Sequence, residues 1–383
     1  MKRMSWLSAL VLVALAITMM VAGCDRGGKD TIKIGLLQPV TGDGATFGID
    51  IKNGAMLAID DFNAAGGVNG KKIEVIFADT QSSDSAGVNA FNKVMAEKPV
   101  ALVGTSYSTQ SFAMAPLIEK AKIPTLLGGT NPKLTREASR WFVRPRPDDL
   151  IGAAAATKFA VEKLQAKKIG LIYNDDQFGA GGRDVILRTL KSMNMEPVTV
   201  VVNNLNDKDV TGQLLTLRRV GADAIIAWEG PTQTAILAKQ YTQLGLKAPY
   251  INSPGIGLAS VRKILSEEEL DGKYGVVEPD PLASTDPRTQ DYVKRFREKY
   301  KEDPSGWGAE YYDGTMILLN AIKAVGTDPE AILKALKSTK DYKGIVNTYT
   351  SDKYGNLVHT MQVVRFKKKV PEVIDVIEIA PEL

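Results

Sequence analysis

His359 and Cys24 are the only histidine and the only cysteine in the 383-residue chain, and that scarcity limits the chemistry its side chains can support. Zinc sites of the usual kind need three or four Cys, His or carboxylate ligands, dithiol centres need paired thiols, and hydrolytic triads need a placed base. Metal–histidine clusters and disulfide frameworks are therefore excluded. His359 lies in an alternating stretch, Leu357 to Val364, that reads as a strand, so it is taken as a structural or exposed histidine. The chain is expected not to be an enzyme and to use neither a metal nor a cofactor.

What remains is reversible binding. Two loops, Gly104-Thr105-Ser106-Tyr107-Ser108-Thr109 and Gly128-Gly129-Thr130, each follow an apolar strand-like run and precede a helical one. At the carboxyl ends of strands in an open α/β sheet, the helix N-termini that follow present free N–H groups and dipoles that favour an anion. Each hydroxyl has a plainer reading as a helix N-cap, but two such loops on adjacent strands point to ligand contact at Ser108 and Thr130. A third segment, Gly42-Asp43-Gly44-Ala45-Thr46-Phe47-Gly48, with Asp79 ending the next strand, imitates a dinucleotide-binding layout. Its third glycine is displaced by one, with Phe47 in its place, so a nucleotide-dependent enzyme is only the remote alternative.

The elements that must position these loops follow from the pattern. With 44% hydrophobic and 24% charged residues the chain is an ordinary globular one. Its length exceeds what a single core usually fills, so two lobes are expected. From Thr31 onward β-branched runs alternate with helical periods, the signature of doubly wound parallel sheets. The strands Ile32 to Leu37, Ile73 to Phe77, Val100 to Val103 and Ile123 to Leu127 alternate with helices starting near Asp50, Ala86 and Phe112. Arg144-Pro145-Arg146-Pro147 and Glu278-Pro279-Asp280-Pro281 interrupt the alternation and read as crossings between lobes. The tail from Val358 to Ile379 alternates again and should add strands, with Lys367-Lys368-Lys369 as a solvated strand end.

Lys2 and Arg3 precede an almost uncharged run from Met4 to Gly23, whose plain reading is a membrane anchor helix. The run closes on Val21-Ala22-Gly23-Cys24, which resembles the lipobox of bacterial lipoproteins. That resemblance implies a signal peptide at residues 1–23, acylation of Cys24, a tether over 24–30 and an extracytoplasmic, membrane-anchored body. Losing Lys2 and Arg3 lowers the formal charge from +4 to +2, which offers no electrostatic footprint for nucleic acid.

The order of motifs is similar to that of one family. Val40-Thr41-Gly42, Phe47-Gly48 leading into Asn53-Gly54-Ala55, Asn63-Ala64-Ala65-Gly66-Gly67-Val68-Asn69-Gly70, Gly104 to Ala115, Gly128 to Pro132 with Leu134-Thr135, and Tyr311-Tyr312-Asp313 resemble the branched-chain amino acid type of ABC-transporter substrate-binding protein. The resemblance implies a type I periplasmic-binding-protein fold, with two doubly wound α/β lobes joined by three crossover segments: lobe one at 31–147 and 279–357, lobe two at 148–278 and 358–383. It also implies a monomer that closes on a small carboxylate-bearing solute and hands it to an ABC permease. A ligand-sensing receptor subunit of the same fold is the alternative. In the family the two hydroxyl loops hold the α-carboxylate and α-ammonium of an amino acid, and Ser108, Gly128 and Thr130 occupy matching positions, with Gly129 and Tyr107 beside them. Phe47 and Phe178 align with aromatic walls on the two lobes. Pro254 stands where the family usually places an acid for the ammonium, so Glu229, after the strand Ala224 to Trp228, is either its replacement or a solvated loop acid.

Overall fold

The computed structural model describes residues 31 to 379; the leader, the acylation expected at Cys24 and the tether lie outside the described residues. The chain opens with β1 (Ile32–Gln38), α1 (Ala45–Ala64), β2 (Ile73–Asp79), α2 (Asp84–Ala96), β3 (Leu102–Val103), α3 (Ser108–Ala121), β4 (Thr125–Leu126) and β5 (Phe142–Val143). These strands form one parallel sheet in the order β2-β1-β3-β4-β5. Ile34, Leu36 and Leu37 of β1 are fully buried, as a strand covered on both faces requires.

The alternation restarts with α4 (Asp149–Lys158), β6 (Ile169–Asn174), α5 (Gln177–Ser192), β7 (Thr199–Asn203), α6 (Thr211–Arg219), β8 (Ala224–Trp228), α7 (Pro231–Gln243), β9 (Tyr250–Asn252), the short α8 (Ala259–Ile264) and α9 (Glu267–Leu270), and β10 (Tyr274–Val277). Next, α10 (Pro287–Tyr300) and α11 (Gly306–Val325) return to pack on α1, and α12 (Pro329–Lys337) lies near β5. After the small hairpin of β11 (Tyr342–Lys343) and β12 (Thr348–Tyr349), β13 (Thr360–Lys367) and β14 (Val370–Glu378) complete a second sheet in the order β14-β13-β10-β9-β8-β6-β7. The backbone thus passes between the sheets three times, after Val143, Val277 and Tyr349.

Three details differ from the sequence expectation. Helix α1 starts at Ala45, five residues before Asp50, because Gly44 opens it without a side-chain cap that could have marked the start. Helix α3 starts at Ser108 rather than near Phe112. The second sheet is parallel only from β10 to β7, since β13 and β14 form an antiparallel hairpin turning at Lys368, whose φ is 56°. His359 precedes β13 with its Nε2 3.0 Å from the Thr350 carbonyl, a structural placement. Among the described residues no helix is long and apolar enough to cross a membrane.

Burial gives the fold a pH dependence of definite sign. Asp50 and Asp176 are pushed up to about 6, and Asp149 and Asp313 to about 7, with loss of solvent as the main cause in each. These carboxyls hold protons more tightly folded than unfolded, so the stability they contribute is complete near pH 4 and is lost as the pH rises through 6 to 7. Thermal unfolding should give the higher midpoint at pH 5 than at pH 7.5, by at least about 1 °C, the shift expected from roughly 1 kcal/mol in a chain of 383 residues. A higher midpoint at pH 7.5 would contradict the burial of these groups.

Candidate functional site

The carboxyl ends of the two sheets face each other across a cleft of about 530 Å³. On the first wall the two hydroxyl loops are stitched together. The Ser108 hydroxyl accepts the Asn131 N–H at 3.2 Å, and the Gly128 N–H donates to the Thr105 carbonyl at 3.1 Å. A Cβ on Gly129 would lie 2.9 Å from the Ser108 Cα, so glycine is what lets the loops meet at backbone distance. No side chain caps α3, which leaves the N–H groups of its first turn, at Ser108, Thr109 and Gln110, without a side-chain acceptor beside the cleft. The hydroxyls of Ser106, Thr109 and Thr130 line the same wall and make no hydrogen bond of normal geometry within the protein; that of Thr130 lies beside the Asp149 carboxyl.

The facing wall is acidic. Asp176 caps α5, accepting the Gly179 N–H at 2.7 Å, and burial raises its carboxyl against the opposing pull of the Gly179 and Phe178 amides, with Asp175 adding to the rise. Phe178 is half-buried with its ring 6.0 Å from Trp228. Glu229 follows β8 and is only 1% exposed. With its amide turned to face both acceptors, Asn203 donates to Glu229 Oε1 at 2.7 Å and to the Tyr173 carbonyl at 2.8 Å. The other oxygen, Oε2, makes no hydrogen bond within the protein. Burial holds the Glu229 carboxyl well above the usual range, Asn203 opposes this, and the Asp176 charge adds to it. Pro254 and Gly255 line the cleft on the short turn after β9, so that position presents no acid.

Aromatic rings and one base close the remaining side. Phe47, in the first turn of α1 rather than in a loop, packs edge-on against Tyr107 at 5.2 Å and Trp307 at 5.5 Å. Arg146 stacks on Trp307 at 3.9 Å and pairs with Glu278 at 2.6 Å and Glu310 at 3.5 Å. It also donates to the Gly128 carbonyl at 3.1 Å, while the Trp307 indole donates to Glu278 at 2.9 Å.

Phe47, Tyr107, Ser108, Thr130, Phe178 and Glu229 therefore share one cleft. Gly128 and Gly129 stand behind its wall, where Gly128 faces the Tyr311 ring and Gly129 faces Ser108. Sequence reasoning passed over Asp176, Arg146 and Trp307. A cap-type Asp before Gln177 was a usable signal for the first, while Arg146 lies in the segment read as a crossing and Trp307 in the first turn of α11. Asp79, the acid of the dinucleotide-like layout, is engaged by its own neighbours: it accepts from Val40 N, Thr41 Oγ1 and Gln81 N at 2.9, 2.6 and 2.8 Å.

A family model described as "Periplasmic binding protein" matches residues 31–371. The chain is 27% identical over 335 residues to "Leu/Ile/Val-binding protein homolog 1" of Brucella suis, spanning 85% of this chain and 87% of the relative. Among solved structures it is similar to the leucine binding protein LivK of Thermotoga maritima, with a TM-score of 0.84, 25% identity and coverage of 91% of this chain and 99% of that one. A solute binding protein of R. palustris, solved in complex with 4-hydroxybenzoate, shares the fold with a TM-score of 0.83 at 20% identity, over 92% of this chain and 98% of that one.

Proposed function

The chain belongs to the periplasmic binding protein family, with the type I fold of that family, and from that membership we propose that it is the solute receptor of an ABC importer. In this reading residues 31–147 with 279–357 and residues 148–278 with 358–383 are two lobes that close by a hinge motion on a small carboxylate-bearing solute. The solute is an amino acid of the branched-chain type or a related organic or aromatic carboxylate, the two classes represented among the similar proteins. A lipid on Cys24 would hold the body at the membrane beside its permease.

The observation that carries this reading is the wall built by the two stitched loops, with the uncapped start of α3 beside the hydroxyls of Ser106 and Thr109, which make no hydrogen bond within the protein. Ser108, Thr130 and the first amides of α3 take the carboxylate, while Phe47, Tyr107 and Phe178 cover the rest of the solute. Three or four charge-assisted hydrogen bonds at about 1.5 to 3 kcal/mol each, less the cost of ordering and closure, are enough for micromolar binding at roughly −8 kcal/mol.

The full-length chain, purified in mild detergent, should bind at least one member of a panel of amino acids and aliphatic or aromatic carboxylates in calorimetry. Ser108→Ala should weaken that solute by about 1 to 3 kcal/mol, through loss of one donor and release of the Asn131 N–H from its acceptor. Unchanged affinity would remove Ser108 from the site, and a panel without a binder would count heavily against the receptor reading.

A further inference from the structure

Asp149 lines none of the cleft, yet its carboxyl lies against the anion wall. It is the first residue of α4, and its N–H reaches back across the first crossing to the Thr130 carbonyl at 3.0 Å. The carboxyl has two polar neighbours, the Thr130 hydroxyl and the indole of Trp228 at the end of β8. Asp149, Thr130 and Trp228 are 2%, 6% and 0% exposed. Asp149 Oδ2, Thr130 Oγ1 and Trp228 Nε1 all nevertheless stand without a hydrogen bond of normal geometry. Three loose buried polar atoms in one place, one of them on a residue of the cleft lining, call for a partner that completes them.

The count of hydrogens decides what that partner is. A threonine hydroxyl has one hydrogen to give, an indole N–H only donates, and an ionised carboxylate only accepts. With Asp149 ionised, Trp228 and Thr130 both direct their hydrogens at it, and Thr130 turns only lone pairs to the cleft. A solute carboxylate would then meet an acceptor with a second negative charge beside it. With Asp149 neutral, one oxygen accepts from Trp228 and its own O–H donates to Thr130. The Thr130 hydrogen is then free for the solute.

Resting on the solute-receptor reading above, we infer that Asp149 is a positioning residue of the anion site, whose neutral form turns the Thr130 hydrogen toward the solute carboxylate, so that a carboxylate solute takes up one proton as it binds. The exchange balances without a further reactant: the solute enters ionised, buffer gives a proton to Asp149, and the Thr130 hydrogen swings from Asp149 to the solute. The surroundings agree with this. Loss of solvent pushes the Asp149 carboxyl up to about 7; Thr130, Arg144 and Trp228 oppose the rise and Asp148 adds to it. Arg144 is shared, pairing with Asp148 at 3.3 Å and donating to the Asn131 carbonyl at 2.9 Å, while Arg136 holds Asp148 at 2.6 Å. On α5, which packs against α4, Arg183 and Asp184 pair with each other at 2.7 Å. From β10 and β13 the neighbouring core receives apolar Val276, Met361 and Val363.

Calorimetry on the full-length chain and on Asp149→Asn tests this, with L-leucine, 4-methylpentanoate and 4-hydroxybenzoate, which all keep their carboxylates ionised between pH 6 and pH 8. The asparagine amide is always neutral, donates to Thr130 and accepts from Trp228. The variant should therefore bind the solute about tenfold more tightly than the unchanged chain at pH 8 and within about threefold of it at pH 6. A residue that served the fold alone would give no such gain. At pH 8 the unchanged chain should also take up close to one proton more than the variant, read from the apparent enthalpies in phosphate and Tris buffers. In a Thr130→Val background Asp149→Asn should bring no gain at either pH. Should Asp149→Asn not fold, Thr130→Val becomes the reference, and the proton uptake of the unchanged chain should be absent from it. The inference is overturned if a folded Asp149→Asn binds no more tightly at pH 8, or if the proton uptake survives Thr130→Val; either result leaves the solute-receptor reading standing. Binding of none of the three solutes would overturn both.

Discussion

Replacing Arg146 by alanine should lower the free energy of unfolding by about 3 to 5 kcal/mol, the cost typical of removing one member of a buried ion pair. Arg146 is 2% exposed, while Glu278 and Glu310, its two carboxylate partners, are 5% and 0% exposed. Without the guanidinium two buried carboxyls are left close together, and the Gly128 carbonyl and the Trp307 face lose their contact as well. The loss should be visible as a fall of about 4 to 6 °C in the unfolding midpoint. Two further results separate stranded charge from lost packing. The penalty should shrink at pH 5, because burial already raises the Glu310 carboxyl and a lower pH favours its protonated form. The triple variant Arg146→Met, Glu278→Gln, Glu310→Gln should recover much of the loss, because it removes the charges together. If the triple variant is no more stable than Arg146→Ala, the network is held by packing and the ionic account fails. Since Arg146 lies on the crossing after Val143 and Glu278 on the crossing after Val277, the pair also ties together two of the three strands of chain that link the sheets. Weakened solute binding should accompany the lost stability.

Local patterns explain why the sheets and the hydroxyl loops were legible in the sequence while this network was not. A strand covered on both faces writes an apolar run such as Ile32 to Leu37, and a loop between such a run and a helix must carry glycine and hydroxyls to satisfy its backbone, so Gly104 to Thr109 and Gly128 to Thr130 stand out. The ion cluster is built from positions 146, 278 and 310, which no periodicity connects. Glu229 could not be decided from its neighbours either, because a carboxylate just past a strand reads alike whether it meets solvent or a cleft; Asn203, 26 positions away, makes the difference. Helix α1 was placed too late because Gly44, Ala45 and Gly48 give no cap and little amphipathic signal. A Cβ on Gly48 would lie 1.8 Å from the Pro39 carbonyl oxygen, so the glycine is there for a close approach to the preceding turn rather than for a phosphate. The direction of β13 and β14 was hidden for another reason: alternation marks a half-buried strand without saying which way it runs.

Gly54→Ala should cost about 3 kcal/mol, at the upper end of what overpacking usually costs, because the atoms in the way are backbone. Gly54 lies in the middle of α1, and a Cβ there would sit 2.0 Å from the Gly308 carbonyl oxygen and 2.7 Å from its carbon, on α11. Side chains can rotate away from an intruding methyl, but a helix backbone cannot. Here α11 is further fixed by Asp50, which accepts the Ser305 and Gly308 N–H groups, each at 3.2 Å. Relief therefore requires two helices of 20 residues each to separate. By contrast Gly212, early in α6, has nothing within 4 Å of its would-be Cβ, so Gly212→Ala should be stabilising by about 0.5 to 1 kcal/mol through the unfolded chain. Urea unfolding of the two variants should move the midpoint in opposite directions; equal or neutral shifts would mean that α1 and α11 do not cross at backbone contact. The same crossing reaches the cleft, because Trp307 is the residue before Gly308, meets Phe47 edge-on and carries Arg146 over its ring. A methyl at position 54 should therefore displace the aromatic side of the site and weaken solute binding, even though Gly54 itself lines none of it.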